Sequence, residues 1–455
     1  MDNKWIRTPG KIVSAAVVAA GLLAGCAGGA GGGDKQEGAG AGEGPGSASS
    51  KKEPIELIFY QTGNADWKEE DFMNHYGNYI RQKYPHITPK FVPVPATKSM
   101  DGLLSAGQQF DIFIFSIGHT HLNLIRNGFN YDISELIKKK NVDLNRFEPF
   151  TIDQQREIAG GGIYGLPLSN TSPVLMYNKD IFDKFGAPYP KDGMTWDEIY
   201  ELAKQVTRSD GGIQYYGLLA SPEHLSKTNQ FSAPFIDPKT LKPALDDPKM
   251  MTFLDNLKRF YRIIPPPNGK PLEGNFFAST GQSRLFSVDK TLAMWSHFSS
   301  SAVNFPEDLN WDYAALPYFK ELGAVGPQAF PGYIYISKTS KYKDDAMDVI
   351  QALTSDEFQT IRSKQGIETA LKNPEIKKTF AQDLPKYNGK NINAIFPPKY
   401  AAPAPLTEYN DLAWKRLNEA FGDIGRDRKD NVSAIRDATE LLSKDIAAEQ
   451  AKKKQ

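Results

Sequence analysis

An α/β fold with parallel strands is predicted by three features of this 455-residue chain. Short apolar runs of strand length recur at residues 55–60, 87–94 and 110–115, and apolar residues at helical spacing lie between the first two runs. Strand, helix and strand in succession favour a parallel sheet covered by helices. The third feature is a single cysteine in a long chain, which excludes internal disulfides and leaves stability to hydrophobic cores, with enough length for two domains.

The first predicted strand covers residues 55–60 and is followed by Gln61 and the loop-forming residues 62–64. A helix is predicted next from the spacing of Phe72, Tyr76, Ile80 and Lys83, and Pro85 prevents its continuation. Strand-like composition returns at residues 87–94. A further helix is predicted around residues 100–108, and the apolar run 110–115 then leads into Ser116. Ligands of open α/β sheets bind at such carboxyl ends of strands.

Residues 161–180 combine a glycine-rich turn, a polar loop at residues 168–172 and an apolar run that ends near Asn178. Thr195 and Glu198 then match a capping box, in which each side chain accepts a hydrogen bond from a backbone amide at a helix start. Apolar residues at helical spacing follow and predict the buried face of this helix: Ile199, Leu202, Ala203 and Val206.

The amino terminus predicts a lipoprotein export signal. Lys4, Arg7 and Lys11 precede an apolar stretch at residues 12–24, which is short for a permanent membrane helix and ends in small residues before Cys26. We expect residues 1–25 to be removed as a signal peptide and Cys26 to carry the lipid. More than one acyl chain makes such anchoring stable.

Residues 26–53 are rich in Gly, Ala and Ser and predict a flexible tether before a body that begins near Pro54. Lys and Arg together number 54, as do Asp and Glu, so nothing favours binding to nucleic acid. No later segment has the apolar length of a membrane helix. We therefore expect a soluble body on the outer side of the cell membrane, anchored only at Cys26.

Several stretches resemble the bacterial extracellular solute-binding proteins of ABC importers, in particular the carbohydrate-binding group that includes maltose-binding protein. The first three lie close together in order: Tyr164-Gly165-Leu166-Pro167, Tyr177-Asn178-Lys179-Asp180-Ile181-Phe182 and Thr195-Trp196-Asp197-Glu198. Three later stretches also resemble this family: Asp289-Lys290-Thr291-Leu292-Ala293-Met294, Tyr313-Ala314-Ala315-Leu316-Pro317 and Gly332-Tyr333-Ile334-Tyr335-Ile336-Ser337-Lys338. Asp289 replaces the glycine that is usual in this group.

The resemblance implies a two-lobed periplasmic-binding-protein-like fold with discontinuous lobes and a hinge cleft. Positions 54–170 and 323–370 would form lobe 1, and positions 171–322 and 371–451 would form lobe 2. It implies that the chain captures a carbohydrate, an oligosaccharide in particular, and delivers it to the permease subunits of an ABC transporter. We expect a monomer that needs no cofactor and no metal.

The resemblance also implies ligand contacts. These positions are Phe115, Ser116, Gly118 and His119 after the third strand, and Asn170 and Thr171 at the first crossing between lobes. Maltose-binding protein has an acidic residue and an arginine where this chain has Gly118 and His119, and an acidic residue where this chain has Thr171. The sequence therefore does not predict the same sugar.

Aromatic and polar residues near predicted strand ends suggest further contacts, because sugars offer hydroxyls at their edges and apolar C–H faces to rings. Tyr60, Asn64 and Trp67 follow the first strand, although Asn64 also suits a helix cap and Trp67 a packing position. Trp295 suits either a stacking platform or a core. Tyr333 follows Gly332, which permits close backbone approach. The spacing around Trp414 favours helix packing.

Other classes of function remain open at this point. Adjacent Tyr215 and Tyr216 are compatible with a ferric-ion carrier, since tyrosinates are hard oxygen ligands. Peptide or polyamine binding and a surface adhesin also fit an anchored chain. A glycoside-acting enzyme is compatible with the many carboxylates, but the sequence contains no nucleophile elbow, zinc helix or phosphate loop. We therefore expect no catalytic residues.

Overall fold

The computed structural model describes residues 52–61, 67–93 and 100–452. The predicted signal peptide, the predicted lipidation site Cys26, most of the predicted tether and the predicted contact Asn64 lie outside these residues, and their assignments stay predictions. Within the described part of the chain, no helix combines the length and apolar character needed to cross a membrane.

Two main sheets organise the protein. The strands are β1 (Ile55–Gln61), β2 (Ile87–Phe91), β3 (Ile112–Ser116), β4 (Gly165–Ser169), β5 (Pro173–Asn178), β6 (Ser209–Asp210), β7 (Ile213–Gln214), β8 (Tyr216–Ala220), β9 (Leu292–Phe298), β10 (Trp311–Ala314) and β11 (Gly332–Ile336). The lobe 1 sheet has the order β2-β1-β3-β11-β4, the lobe 2 sheet has the order β10-β5-β9-β8, and β6 and β7 form a separate hairpin.

Helices cover both sheets, as expected for an α/β fold. They are α1 (Glu69–Phe72), α2 (Asn78–Lys83), α3 (Met100–Ser105), α4 (Ile117–His119), α5 (Ser134–Lys139), α6 (Pro149–Ile158), α7 (Lys179–Phe185), α8 (Trp196–Val206), α9 (Pro222–Lys227), α10 (Pro248–Arg262), α11 (Ser279–Ser287), α12 (Lys343–Leu353), α13 (Asp356–Lys364), α14 (Pro374–Lys377), α15 (Asn410–Gly425) and α16 (Asn431–Lys452). A wider π-helical turn, Met73–Gly77, joins α1 to α2, and another, Thr120–Ile125, follows α4.

The first elements form where the sequence predicts them. β1 pairs in parallel with both β2 and β3, and the ring of Phe72 on the connecting helix stacks on Phe91 with 5.0 Å between centroids. The helical segment ends at Lys83, shortly before Pro85. The α8 capping box is confirmed, since Thr195 accepts a hydrogen bond from the Glu198 amide and Glu198 accepts one from the Thr195 amide.

The lobe 1 sheet is mixed, whereas the sequence predicts parallel strands. β11 inserts between β3 and β4 and runs antiparallel to both. The whole of lobe 2 up to β10 separates β4 from β11 along the chain, so local patterning does not reveal the partners of β11. In lobe 2, only β8 and β9 are parallel, and β5 and β10 run antiparallel to their neighbours.

The chain passes between the sheets three times. Residues 170–172 connect β4 to β5, and residues 315–331 connect β10 back to β11. The third passage follows α14, because Ile376 packs in a lobe 1 core and Phe380 in the lobe 2 core. The two-lobed fold with discontinuous lobes is therefore present, and the predicted residue boundaries of each lobe stay a proposal.

Candidate ligand-binding cleft

The cleft lies where strand ends of the two sheets meet. In lobe 1, Ser116 at the end of β3 pairs with Gly332 at the start of β11, which also lies beside Ser169 at the end of β4. In lobe 2, Pro173 at the start of β5 pairs with Phe298 at the end of β9. Two helices begin directly at these edges, α4 after β3 and α9 after β8. Carboxyl ends of strands in open α/β sheets are where ligands bind.

A cavity of about 320 Å³ lies between the lobes at this place. Gly118, His119 and Leu122 line it from lobe 1. The lining from lobe 2 comes from two helices, with Glu223 and Lys227 on α9 and Asp411, Trp414, Lys415 and Asn418 on α15. Two other cavities of similar volume lie on lobe 2 and its connecting segments, and neither is lined by a strand end of lobe 1.

Gly118 brings the two lobes into contact. A Cβ atom at this position would lie 3.0 Å from Cζ of Phe330 and 3.5 Å from Cη2 of Trp414. Trp414 belongs to lobe 2 and Gly118 to lobe 1, so a side chain larger than that of alanine would separate them. The glycine therefore permits the close approach of the lobes on this side of the cavity.

Trp414 supplies the aromatic surface of the cavity, and Lys227 covers part of it. The Lys227 ammonium nitrogen lies 4.6 Å from the centroid of the indole ring, a cation–π distance, and 2.7 Å from Oε1 of Glu223. The indole N–H of Trp414 has no hydrogen-bond partner among the described residues. The cavity therefore combines an aromatic ring with an internally neutralised ion pair.

The pKa values of several ionisable groups around the cavity are shifted by burial and by neighbouring charges. Burial disfavours the Glu223 carboxylate, but the neighbouring Lys227 charge outweighs this effect and lowers the Glu223 pKa. His119 is exposed at the cavity but crowded by protein atoms, and this partial desolvation, with the Lys227 charge, lowers the His119 pKa. Burial raises the pKa of Asp411, and the positive charge of Arg126 partly offsets this increase. At neutral pH His119 is an uncharged imidazole that can both donate and accept a hydrogen bond.

Asn170 and Thr171 occupy the first passage between the lobes, as predicted. The Thr171 carbonyl accepts a hydrogen bond from the Phe330 amide at 3.3 Å, which ties the first passage to the second. Phe330 in turn stacks on Phe298 at the end of β9, with 5.3 Å between ring centroids. The buried Asn170 packs beside the carboxylate of Glu368. These residues form the wall where the lobes join.

The structure places four of the predicted contacts in hydrophobic cores. Tyr60 and Phe115 pack together with 5.7 Å between ring centroids, and neither lines the cavity. Trp295 is buried and donates its indole hydrogen to Gln282, so the core interpretation applies to it. Tyr333 is fully buried and donates its hydroxyl hydrogen to the Thr151 carbonyl. Each lies on a strand covered on both faces, where alternation of side chains does not separate core from cleft.

Two further predicted contacts, Trp67 and Ser116, do not line the cavity. Trp67 packs on His75 with 4.4 Å between ring centroids, at the start of the first helical segment. Ser116 ends β3, and its carbonyl accepts a long hydrogen bond from the Thr120 hydroxyl. Of the predicted contacts, Gly118 and His119 line the cavity, with Asn170 and Thr171 in the adjoining wall.

Sequence reasoning missed the contribution of the two helices from lobe 2. The spacing of Ala413, Leu417 and Phe421 correctly indicates the buried face of α15, but Trp414 lies at the border of this face and reaches the cavity. The four-residue spacing between Glu223 and Lys227 was the sequence signal that could have indicated an ion pair one helical turn apart on α9. Its position in the cleft depends on the packing of α15 against α9, and these two helices are far apart along the chain.

The paired tyrosines are not arranged as a metal site. Tyr215 packs edge-on against Phe185, and Tyr216 packs edge-on against Phe276. The two rings therefore have separate aromatic surroundings. Among the described residues, no group of three or more His, Cys, Asp or Glu side chains is arranged to hold a metal ion.

Two lobes that close on a cavity lined by an aromatic ring and hydrogen-bonding groups define a protein that captures a small ligand. Residues 62–360 match the family described as bacterial extracellular solute-binding protein. The match covers well over half of the chain, and the chain belongs to this family. The predicted family and fold are confirmed.

Solved structures share the fold at low sequence identity. An ABC substrate-binding protein from Listeria monocytogenes in complex with cycloalternan has a TM-score of 0.68 and 20% identity, covering 87% of this chain and 100% of that one. A sugar transporter protein from Rhizobium etli in an open conformation has a TM-score of 0.66 and 20% identity, covering 86% and 99%. UgpB from Mycobacterium tuberculosis in complex with glycerophosphocholine has a TM-score of 0.65 and 15% identity, covering 88% and 99%.

Curated relatives match only locally. The sn-glycerol-3-phosphate-binding periplasmic protein of Agrobacterium fabrum is 41% identical over 49 residues, which is 11% of this chain and 11% of that protein. The corresponding protein of Rhizobium meliloti is 33% identical over 69 residues, 13% of this chain and 16% of that protein. The chain thus aligns with about a tenth to a sixth of the length of these relatives.

Proposed function

We propose that this protein captures a carbohydrate, an oligosaccharide in particular, in the cleft between its lobes and delivers it to the permease of an ABC transporter. The observation that carries this proposal is the interlobe cavity, which places the ring of Trp414 beside His119, Asp411 and Asn418. Sugars need this combination of an aromatic surface and hydrogen-bonding groups. A volume of about 320 Å³ is at the lower end of the range for small-ligand sites, and an opening of the hinge would extend it.

The charges in the cavity favour an uncharged ligand. Lys227 is paired with Glu223 at 2.7 Å, and Lys415 and Asp411 contribute one further charge of each sign. His119 is neutral because its pKa is lowered. A ligand with net charge would therefore have to disrupt the existing balance, whereas hydroxyl groups can use each of these side chains as donor or acceptor.

The proposed location of the protein is the outer side of the cell membrane. We infer that residues 1–25 direct export and that lipid on Cys26 holds the protein at the outer side of the cell membrane. Membership in a family of extracellular binding proteins supports an exported protein. The role is binding and transfer without catalysis, by a monomer that uses no cofactor.

Glycerol phosphodiesters and glycerol 3-phosphate form the second candidate class. They are favoured by the local similarity to glycerol-3-phosphate-binding proteins, and the two lysines of the cavity offer donors to a phosphate. Such a ligand would have to displace Glu223 from Lys227.

A thermal-shift screen of the full chain tests both classes, since a ligand that binds only the folded state raises the melting temperature. The panel contains malto-oligosaccharides, cyclic glucans and monosaccharides, with glycerol 3-phosphate, glycerophosphocholine, short peptides, polyamines and ferric citrate for comparison. A saturable shift with a sugar is the expected result. Shifts confined to the phosphates would select the second class, and shifts with peptides, polyamines or iron alone would reject both.

A further inference from the structure

A buried carboxylate, Glu368, lies behind the cleft wall where the passages between the lobes meet. It is only 3% exposed. Its Oε1 accepts hydrogen bonds from the Ser172 amide at 2.9 Å and from the Ser299 hydroxyl, and its Oε2 accepts one from the Ser172 hydroxyl at 2.9 Å. The Glu368 carbonyl also accepts the Asn170 amide hydrogen at 2.9 Å. One side chain thus joins the first passage, the end of β9 and the segment that precedes the third passage.

The partners of Glu368 are direct neighbours of cleft residues. Ser172 follows Thr171, and Ser299 follows Phe298, whose ring stacks on Phe330. Thr171 and Ser300 approach each other with 3.4 Å between their hydroxyl oxygens. The position of the carboxylate therefore fixes the backbone on both sides of the wall.

The side-chain amide of Asn170 is only half satisfied in this network. Its Nδ2 lies 3.3 Å from Oε2 of Glu368 and 3.3 Å from the Tyr400 hydroxyl, while its Oδ1 is buried and has no hydrogen-bond partner in the part of the chain that the structure describes. A flip of the amide group would exchange these atoms and leave the nitrogen unpartnered instead. Nδ2 also lies 3.4 Å from the Ser172 hydroxyl, and the protonation state of Glu368 shifts the balance between the two orientations.

An ionised Glu368 favours the present orientation, because Nδ2 then donates to Oε2 beside the Ser172 hydroxyl, whereas the reverse orientation would place Oδ1 against the charged oxygen. A Glu368 protonated on Oε2 favours the reverse orientation, because Oδ1 would then accept the hydrogen at the place where Nδ2 now lies, with the Ser172 hydroxyl at 2.9 Å as the second acceptor. Tyr400 suits both orientations, since its hydroxyl can donate or accept. We propose that Glu368 is a positioning residue that binds a proton reversibly and switches, together with the Asn170 amide, between two hydrogen-bond arrangements behind the cleft wall.

The charged and titratable surroundings permit this exchange near neutral pH. Tyr313, Tyr387 and Tyr400 face the carboxylate, and burial raises the pKa of all three, so they stay uncharged. Lys377 is the nearby cation, and it is paired with Glu148 at 2.5 Å. Burial raises the pKa of Glu368 from the ordinary 4.5 to about 7, although the hydrogen bonds from Ser299 and Ser172 oppose this effect.

The sign of the linked stability follows from this shift. Between pH 4.5 and about 7, the folded protein holds a proton on Glu368 that the unfolded chain has already released. The contribution of Glu368 to stability is therefore fully present below pH 4.5 and is lost progressively as the pH rises to about 7. In the Glu368→Gln variant the side chain cannot ionise, so this pH-dependent loss of stability is absent.

The proposal is tested on the ¹⁵N-labelled full chain by recording amide spectra from pH 5.5 to 8.5, without any sugar. In the wild type, the backbone signal of Ser172 and the side-chain signal of Asn170 should titrate together with a midpoint near 7. Glu368→Gln should abolish this titration. The matched control is Glu157→Gln on α6, because the pKa of Glu157 is also raised by burial but the residue lies outside the network. This control should leave the titration unchanged.

Two outcomes would overturn the proposal: signals that do not move in the wild type, or a titration that persists in Glu368→Gln. If Glu368→Gln fails to fold, Tyr400→Phe replaces it, and the Asn170 side-chain midpoint should then shift while that of a remote amide does not. An unchanged midpoint in Tyr400→Phe would also count against the network. Since no ligand is present, failure here is separate from failure of the proposed transport function.

Discussion

Trp414 and Lys227 together define the aromatic side of the cleft. The lysine lies over the indole ring and is also held by Glu223, so the ring is partly covered by the protein's own cation. A sugar that stacks on Trp414 must share this face with the ammonium group or displace it.

Replacing Trp414 with leucine should lower sugar affinity by at least about tenfold, or about 1.4 kcal/mol, since the stacking surface is lost. Phe421→Leu is the matched control, because Phe421 lies on the same helix and is fully buried in the lobe 2 core. Calorimetric titration should show reduced affinity for Trp414→Leu only. Equal affinities in the two variants would exclude Trp414 from the site.

His119 should contribute through hydrogen bonding as an uncharged imidazole. His119→Ala should weaken sugar binding by about fivefold, the typical value of one neutral hydrogen bond, with little change in melting temperature. His75→Ala is the control, since His75 also has a lowered pKa but packs on Trp67 outside the cavity. A weaker affinity in His75→Ala and an unchanged one in His119→Ala would reverse the assignment, and would favour the predicted contact at Trp67.

Gly118 and His119 follow β3 directly and line the cavity, and Asn170 and Thr171 follow β4 and lie in the adjoining wall. The family resemblance implied these positions, and their role as ligand contacts stays a prediction. Trp295 and Tyr333 lie within strands that are buried on both faces, and apolar character alone does not show which face meets a ligand.

Among the secondary-structure elements, α4, α9 and α15 line the cavity. Helix α8 shows how much of a helix local sequence signals can predict. The α8 boundaries follow from its capping box, its apolar spacing and the Thr207 residue at its end. In contrast, α15 comes to the cleft through packing against α9, α10 and α16, which no local pattern specifies. Short-range chemistry therefore predicted where helices begin, and long-range packing decided which of them line the cavity.

The capping box of α8 should contribute measurably to stability. Thr195→Ala removes the side-chain acceptor of the Glu198 amide and should lower the free energy of unfolding by about 1 kcal/mol. Urea denaturation measures this change. Thr252→Ala, on the exposed surface of α10, is the control and should change stability by less. A larger loss in Thr252→Ala than in Thr195→Ala would contradict the role of the cap.

At the scale of the whole molecule, the two lobes meet at Gly118, where a Cβ would contact Phe330 and Trp414. Its backbone does not need the left-handed conformation, so a larger residue strains only the contact between the lobes. Gly118→Phe should displace Phe330 and Trp414, keep the lobes apart and lower sugar affinity at least about tenfold.

Small-angle scattering with and without sugar measures this effect. The wild type should contract on binding, Gly118→Phe should not, and Gly118→Ala should behave almost as the wild type because its Cβ needs only a small adjustment by Phe330. Normal contraction in Gly118→Phe would show that closure does not bring α4 and α15 together.

The mixed order of the lobe 1 sheet sets the limit of sequence-based prediction for the molecule. The α/β class and the two-lobed architecture were predictable, from strand and helix spacing and from the family resemblance respectively. The insertion of β11 between β3 and β4 depends on pairing between segments that are far apart along the chain, and this insertion places Gly332 beside Ser116 and Ser169 at the cleft. The geometry of the site thus depends on contacts that only the folded chain reveals.

Calorimetric titration of the full chain with the sugar that gives the largest thermal shift tests most directly whether the interlobe cleft binds a carbohydrate. We expect saturable binding of one sugar molecule per chain, with affinity reduced at least about tenfold in Trp414→Leu and unchanged in Phe421→Leu. Absence of heat with every sugar, or equal affinity in the wild type and Trp414→Leu, would contradict the assignment of this cleft as a carbohydrate site.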